Sequence, residues 1–368
     1  MSKLFNCYSL FLILIIYAAG PVYCQILINK DSLITKLEMM KEQTRVKGIL
    51  AGMWKEGQEV FTTALGESMT SVPAGTDMHV RIGGVSEIFL GTLLMILSEK
   101  GKIDLNGKIS QWLPGLIGAD SVTSLMLIKN TAGYKDYVLN KDFTDLITKE
   151  PFRNISHEEI ISYAVSDGQL NFPPGTSQHY SHTEFTILGN VLEKATGKSM
   201  PELYEEYIFR PLGLKHTGYS INPDLPEPVL HAFSSDRGIY EDATFWNPSW
   251  TGDSGPLYST LHDLGVWANA FGKGKLLTNA SFSELISRPE HVKNPDIYIA
   301  SGFAVANGWY FQNPSFNGYS GAFGYLPSQD LTIIIYTTES VDPKSSAQAF
   351  NIFKEIVKMI APENVINF

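Results

Sequence analysis

The stretch over residues 79–105, HVRIGGVSEIFLGTLLMILSEKGKIDL, constrains the fold more than any other part of the chain. Its apolar residues Val85, Ile88, Phe89, Leu93, Leu94 and Ile96 recur at three- and four-residue steps, the stripe with which a helix buries one face in a core. Gly101, ahead of Lys102, Ile103 and Asp104, reads as its stop, because glycine tolerates the left-handed conformation that closes a helix. So apolar a helix needs partners, and the chain supplies them: 44% of its 368 residues are hydrophobic and only 18% charged. That composition and length suit one large domain, or two lobes sharing a cleft.

A short helical lead is predicted over 31–43. Residues 48–68 alternate in the manner of strands, and Glu56 with Gly57 sits where a hairpin turn belongs, so two antiparallel strands are expected there. From about 102 to 240 the text turns to short helical pieces broken by Gly and Pro. Beyond Gly255 it predicts a helix over 259–271, strands over 302–311 and 331–338, and a final amphipathic helix over 345–360. Strands at both ends with helices between imply an α/β (α+β) fold: an antiparallel sheet formed by both chain ends, flanked by helices, with an inserted helical lobe. The expected sheet lobe spans about 25–80 and 255–368, the helical lobe about 102–240.

Residues 1–24 have the layout of a cleaved secretory leader, with Lys3, an apolar run over 10–19, then Gly20 and Pro21 before an expected cut after Cys24. The run is short for a bilayer, so a secreted or periplasmic protein is expected, with no membrane span after cleavage. Both cysteines, Cys7 and Cys24, fall in this leader, which leaves no disulfide, CxxC metal site or cysteine nucleophile for the rest. With 28 basic against 38 acidic side chains the formal charge is −10, which argues against nucleic acid as a partner.

The wording of 79–105, continued by LNGKISQWLPG, resembles the first motif of the penicillin-recognising serine hydrolases: β-lactamases, D-alanyl-D-alanine peptidases and related esterases. In that family the helix opens with SxxK, a nucleophilic serine and, one turn on, a lysine that helps take its proton. On this pattern the serine position is Gly84 and the lysine position Glu87. No serine anywhere in the chain has a lysine three residues later. Ser86 lies inside the motif but two residues off, about 200° around the helix. It is either a displaced nucleophile or a small polar residue near a helix start.

The resemblance runs over roughly 46–360. The family's second motif, YxN after a PPGT phrase, reads PPGTSQHYSH, keeping Tyr180 as the acid/base tyrosine and putting His182 for asparagine. The third, KTG or HTG on a strand edge facing the nucleophile, reads Tyr319, Ser320 and Gly321, where glycine would let a ligand backbone lie close. LIKNTAGY carries Asn130 and Ala132 for the usual histidine and serine. Scaffold landmarks (Pro174, Gly175, Pro211, Leu212, Gly213, Asp263) follow the family while the chemical groups differ.

The resemblance therefore implies a retained fold with a re-purposed pocket, binding a peptide, cell-wall-like or other small-molecule ligand between the lobes without serine hydrolysis. Gly84, Ser86, Tyr319, Ser320 and Gly321 are the candidate binding residues, and Glu87, Tyr180 and His182 the candidate catalytic ones. Two rivals stand beside it: amide or ester hydrolysis by Glu87, Tyr180 and His182 or by Ser86, and an idle cleft with a protein partner on an outer surface. No cofactor is expected. His179, His182 and Glu184 have a weak metal-ligand spacing, Glu87 is expected to accept hydrogen bonds from Tyr180 or Tyr319, and the loop DATFWNPSWTGDSG, with Trp246 and Trp250, could rim a binding cleft.

Overall fold

The computed structural model describes residues 29–220, 222–341 and 347–366; the expected leader lies outside them. Glu56 and Gly57 both take left-handed backbone conformations, φ 55° and 78°, the two-residue turn that matches strand twist. Strand β1 (Gly48–Lys55) thus folds straight back as β2 (Gln58–Met69). The other strands of this sheet are β3 (Val72–Pro73), β4 (Ile297–Ile299), β5 (Ala304–Ala306), β6 (Trp309–Gln312), β7 (Ser315–Phe316), β8 (Tyr319–Leu326) and β9 (Leu331–Thr338). Among the described residues they form one nine-stranded antiparallel sheet in the order β3-β2-β1-β9-β8-β6-β5-β4, with β7 paired to β8. Both chain ends meet at its centre, where β1 pairs with β9 from Ile49↔Thr337 to Lys55↔Leu331.

The sheet separates two apolar layers, and the strand period of two deals side chains alternately to each. From β1, Leu50 and Trp54 enter one core while Ile49, Ala51 and Met53 enter the other. The second core is closed by α1 (Lys30–Thr44) and α6 (Gln348–Ile360), joined at their surface by the Lys36–Glu355 ion pair, 3.0 Å. Because both faces are covered, β1 is buried along nearly its whole length, while β2 is mostly half-buried or exposed, with Phe61 and Ser68 its only buried residues, so the in–out alternation expected of the hairpin is not seen in either strand.

The first core is built on α2 (Val85–Glu99), which the sequence predicts as a one-faced helix. It is buried all round: every residue from Val85 to Leu97 is out of solvent. Phe89 stacks on Trp267 of α5 (Leu261–Gly272) at 3.7 Å between ring centroids. On another side Gly91 lets the backbone of the β4–β5 connection approach so closely that a Cβ would lie 2.3 Å from the Ser301 carbonyl oxygen. Each buried large apolar side chain contributes on the order of 2 kcal/mol. The helix closes as expected at Gly101 (φ 65°), with Lys102 N–H donating to the Leu97 carbonyl at 2.9 Å.

The helical lobe supplies α3 (His157–Ala164) and α4 (His182–Thr196). A separate three-stranded sheet joins Val80–Arg81, Leu257–Ser259 and Gly218–Tyr219. With Ile82 N–H donating to the Leu257 carbonyl at 2.9 Å, it fixes the chain immediately before Gly83 and Gly84. No helix among the described residues is long and apolar enough to cross a membrane.

Candidate active-site cleft

Gly84 caps the N-terminus of α2, and Glu87 follows in its first turn, fully buried. The Glu87 carboxyl is shared between two donors: Tyr180 Oη donates to Oε1, and Gln312 Nε2 from β6 donates to Oε2 at 2.8 Å. Burial holds this carboxyl well above the usual carboxylate range, and the nearby Asp136 adds to the rise, while the two hydrogen bonds oppose it. The expectation that Glu87 accepts from Tyr180 or Tyr319 is met by the first. Gln312, which the sequence did not single out, takes the other place. The same Gln312 nitrogen donates to the Gly302 carbonyl at 2.9 Å, and its oxygen would lie 3.1 Å from a Cβ at position 84.

The network continues through the second motif. Tyr180 Oη lies 3.5 Å from His182 Nε2, their rings meeting edge to face with centroids 4.8 Å apart. His182 Nδ1 lies 2.9 Å from Asp136 Oδ2, and its backbone N–H donates to Oδ1 at 3.3 Å. Asp136 therefore fixes the imidazole from behind, and a continuous polar chain runs Asp136, His182, Tyr180, Glu87, Gln312. Asp136 also escaped the sequence reading, although it stands just after the LIKNTAGY phrase.

The third motif departs from expectation. Tyr319 is buried rather than facing the cleft, its hydroxyl donating to the Leu230 carbonyl. Ser320 points to the opposite side of the sheet, where its Oγ accepts from Ala349 N–H of α6 at 3.2 Å. The alternation of a strand makes neighbours diverge in this way. Behind Tyr319 lies Arg81, buried and bonded to Ser220 Oγ and the Pro223 carbonyl, both at 2.6 Å; burial lowers its pKa to about 10. Gly321 does provide a close approach, but Pro314 occupies it. Gly321 N–H donates to the Pro314 carbonyl at 2.8 Å, and a Cβ there would lie 2.6 Å from the proline ring. The same ring covers Gly83, where a Cβ would meet it at 2.8 Å.

Ser86 is not in the cleft either. It is fully buried, and its Oγ accepts from Leu257 N–H at 3.2 Å, as the rotation between positions 84 and 86 demands. A serine and a lysine do meet elsewhere, Ser287 Oγ and Lys129 Nζ at 2.5 Å, but that pair is remote from the α2 N-terminus, and Glu284 pairs with the same ammonium at 2.5 Å. His179, His182 and Glu184 do not converge. Glu184 is buried, accepting from the backbone N–H groups of Ala132, Gly133 and Tyr134 at 2.8–3.2 Å, and among the described residues no group of three His, Cys, Asp or Glu is placed to hold a metal. Trp246 is core, while half-buried Trp250 packs 5.5 Å from the buried ring of Phe316 in β7. A cavity of about 500 Å³ opens beside this network, with Asp136 in its wall alongside Lys135, Asn140, Tyr163, Phe172 and His179.

The beta-lactamase family model matches residues 33–354. A D-aminopeptidase of Cereibacter sphaeroides (strain ATCC 17029 / ATH 2.4.9) is 27% identical over 249 residues, 64% of this chain and 45% of its own. The D-alanyl-D-alanine-carboxypeptidase/endopeptidase AmpH of Escherichia coli (strain K12) is 28% identical over 197 residues, 53% of this chain and 49% of its own. The chain thus spans about half the length of these curated relatives. Among solved structures, a D-stereospecific amidohydrolase from Streptomyces sp. matches with a TM-score of 0.79 at 22% identity, covering 91% of this chain and 99% of that one. The D-amino acid amidase from Ochrobactrum anthropi SV3, complexed with L-phenylalanine, matches with a TM-score of 0.75 at 20% identity, covering 90% and 98%. These structures share the mixed helix and antiparallel-sheet fold, and the family match takes in both sheet halves and the helical lobe: the chain belongs to the beta-lactamase family.

Proposed function

We propose that this protein is a secreted or periplasmic member of the family that does not perform serine acyl transfer and instead holds a peptide or cell-wall-like ligand between its lobes. The observation that carries the reading is the mutual satisfaction of Glu87, Tyr180 and Gln312 over a glycine. A serine hydrolase needs a hydroxyl and a base poised at that point, whereas here the groups at the helix start saturate one another and Pro314 lies over the adjoining glycines. The ligand would use the polar end of the network, where Asp136, which holds His182, lines the cavity of about 500 Å³, a size suited to a small ligand.

A fluorescent penicillin should give no covalent adduct with the full chain. A thermal-shift series with N-acetyl-Lys-D-Ala-D-Ala and muropeptides should raise the melting temperature, since a ligand at a hundred times its Kd adds about 2.7 kcal/mol. An adduct, or the absence of any shift, refutes the reading. The linked chain from Asp136 to Glu87 supports a second one, general acid/base hydrolysis of an amide or ester on a bound water. Turnover of a chromogenic ester that disappears in both Glu87→Gln and Tyr180→Phe would establish that reading in place of the first.

A further inference from the structure

A second polar cavity, of about 300 Å³, lies between α3, α4 and the loop before Leu257, and shares no lining residue with the cavity beside Asp136. His157 lines it at the first position of α3. Its Nδ1 is held by Asn190 Oδ1 at 2.8 Å and lies 3.6 Å from Asp253 Oδ2. Asp253 is fully buried. One of its oxygens accepts from Tyr219 Oη at 2.8 Å, while Oδ2 has no hydrogen-bond partner and rests on the backbone of α4 at Gly189, where a Cβ would lie 1.8 Å away. A buried carboxylate oxygen without a donor is costly unless a cation stands beside it, and His157 is the cation within reach. Burial by itself pulls the imidazole down, but Asp253, Asn190 and the glutamates around it outweigh burial and hold it above its ordinary value.

With Nδ1 held by Asn190 Oδ1 and Asp253 standing beside it, the ring's other nitrogen, Nε2, has no hydrogen-bond partner among the described residues. Glu193 stands one helical turn after Asn190 on the same face of α4 and also lines the cavity. Its Oε1 accepts from Met200 N–H at 2.8 Å, and among the described residues it forms no ion pair. The cavity thus presents an imidazole nitrogen without a partner, backed by a buried carboxyl, and a Glu193 carboxyl oxygen outside any ion pair, and no ion pair joins the two. Among its other polar groups, Ser249 Oγ accepts from Ile155 N–H, Ser199 Oγ donates to Glu202 and Tyr219 Oη donates to Asp253. A volume near the lower end of ligand pockets, about 300–1,000 Å³, fits a small molecule.

We infer that this cavity binds a small zwitterion of the free amino-acid type, its carboxylate on His157 Nε2 and its ammonium on Glu193. The test is calorimetric titration of the full chain with glycine and with both hands of alanine and leucine, beside acetate and ethylamine, which carry one charge each. At least one zwitterion should bind saturably in the millimolar range or tighter, and neither single-charge analogue should match it. Glu193→Gln, which keeps the acceptor for Met200, and His157→Gln should each weaken that binding tenfold or more. The His157 ring resonances should move on titration of the wild type, a readout that needs no variant to fold. No binding by any of the five amino acids, equal binding by acetate or ethylamine, or unchanged binding in Glu193→Gln overturns the inference. The muropeptide shift at the other cavity should survive Glu193→Gln, so the two sites fail independently.

Discussion

Glu87→Gln isolates the cost of a buried acid. In the native cleft no basic side chain among the described residues pairs with Glu87, and burial raises its pKa well above the ordinary 4.5. A group whose folded pKa is raised takes its proton more readily in the folded state. The stability tied to it is complete below the unfolded pKa and is lost, by up to about 1.4 kcal/mol per pH unit, as pH climbs toward the folded one. Glutamine does not titrate and lacks this slope. It carries a fixed cost instead: with its oxygen kept toward Gln312 Nε2, its amide nitrogen faces Tyr180 Oη, which must accept instead of donate and turn its hydrogen toward His182 Nε2, 3.5 Å away and too far for a good hydrogen bond. An orphaned donor of this kind costs about 1–3 kcal/mol. A deficit at pH 5 should therefore shrink as pH rises toward the folded pKa of Glu87, by no more than about 1.4 kcal/mol per unit, so the variant gains on the native protein across that range. Urea unfolding of both proteins at pH 5, 6, 7 and 8 reads this directly. Glu184, Asp253 (pushed up to about 6 by burial) and Glu339 (to about 7) are common to both and cancel in the difference. A difference that stays constant across the series would mean that Glu87 is charged throughout, and the reasoning fails.

Three further outcomes follow from the packing. Gly84→Ser with Glu87→Lys should stay unreactive toward fluorescent penicillin, and a slow adduct at position 84 should appear, by intact mass, once Gln312→Ala removes the amide 3.1 Å from the new Cβ; an adduct on the double variant alone would show that this amide gives way. Gly101→Ala has open space around it and a left-handed backbone, φ 65°, so it should cost only the conformational strain of about 1–2 kcal/mol, seen as a drop of a few degrees in melting temperature. Gly91→Ala meets the Ser301 backbone instead, and should lose about 3 kcal/mol or more by thermal unfolding; a loss no larger than that of Gly101→Ala would show that the β4–β5 connection is free to shift.

The elements written in local text were legible. The β1–β2 turn needed only Glu56 and Gly57, and α2 with its stop at Gly101 needed only its own apolar run. What escaped depends on distant partners. Gln312 reaches Glu87 across 225 positions of sequence, and nothing around Gln312 announces a role. Asp136 had a weak signal, an acid just downstream of a recognised phrase. Tyr319 and Ser320 were placed by analogy with a strand edge, and one buried carbonyl, that of Leu230, was enough to draw the tyrosine inward. The all-round burial of α2 was hidden because Thr92 and Glu87 look polar in the text, yet each finds a partner inside, Thr92 on the Ile88 carbonyl and Glu87 on Tyr180 and Gln312.

The pairing of β1 with β9 has a consequence for biogenesis. As the polypeptide leaves the ribosome, the N-terminal hairpin emerges with one flank lacking its mate, and that mate arrives only when residues 331–338 have been translated. For most of synthesis an apolar ribbon, open along one side, must be kept from pairing with other chains, so maturation should be slow and dependent on holding factors. Nonsense truncations ahead of Leu331 should consequently yield aggregates rather than shortened soluble proteins.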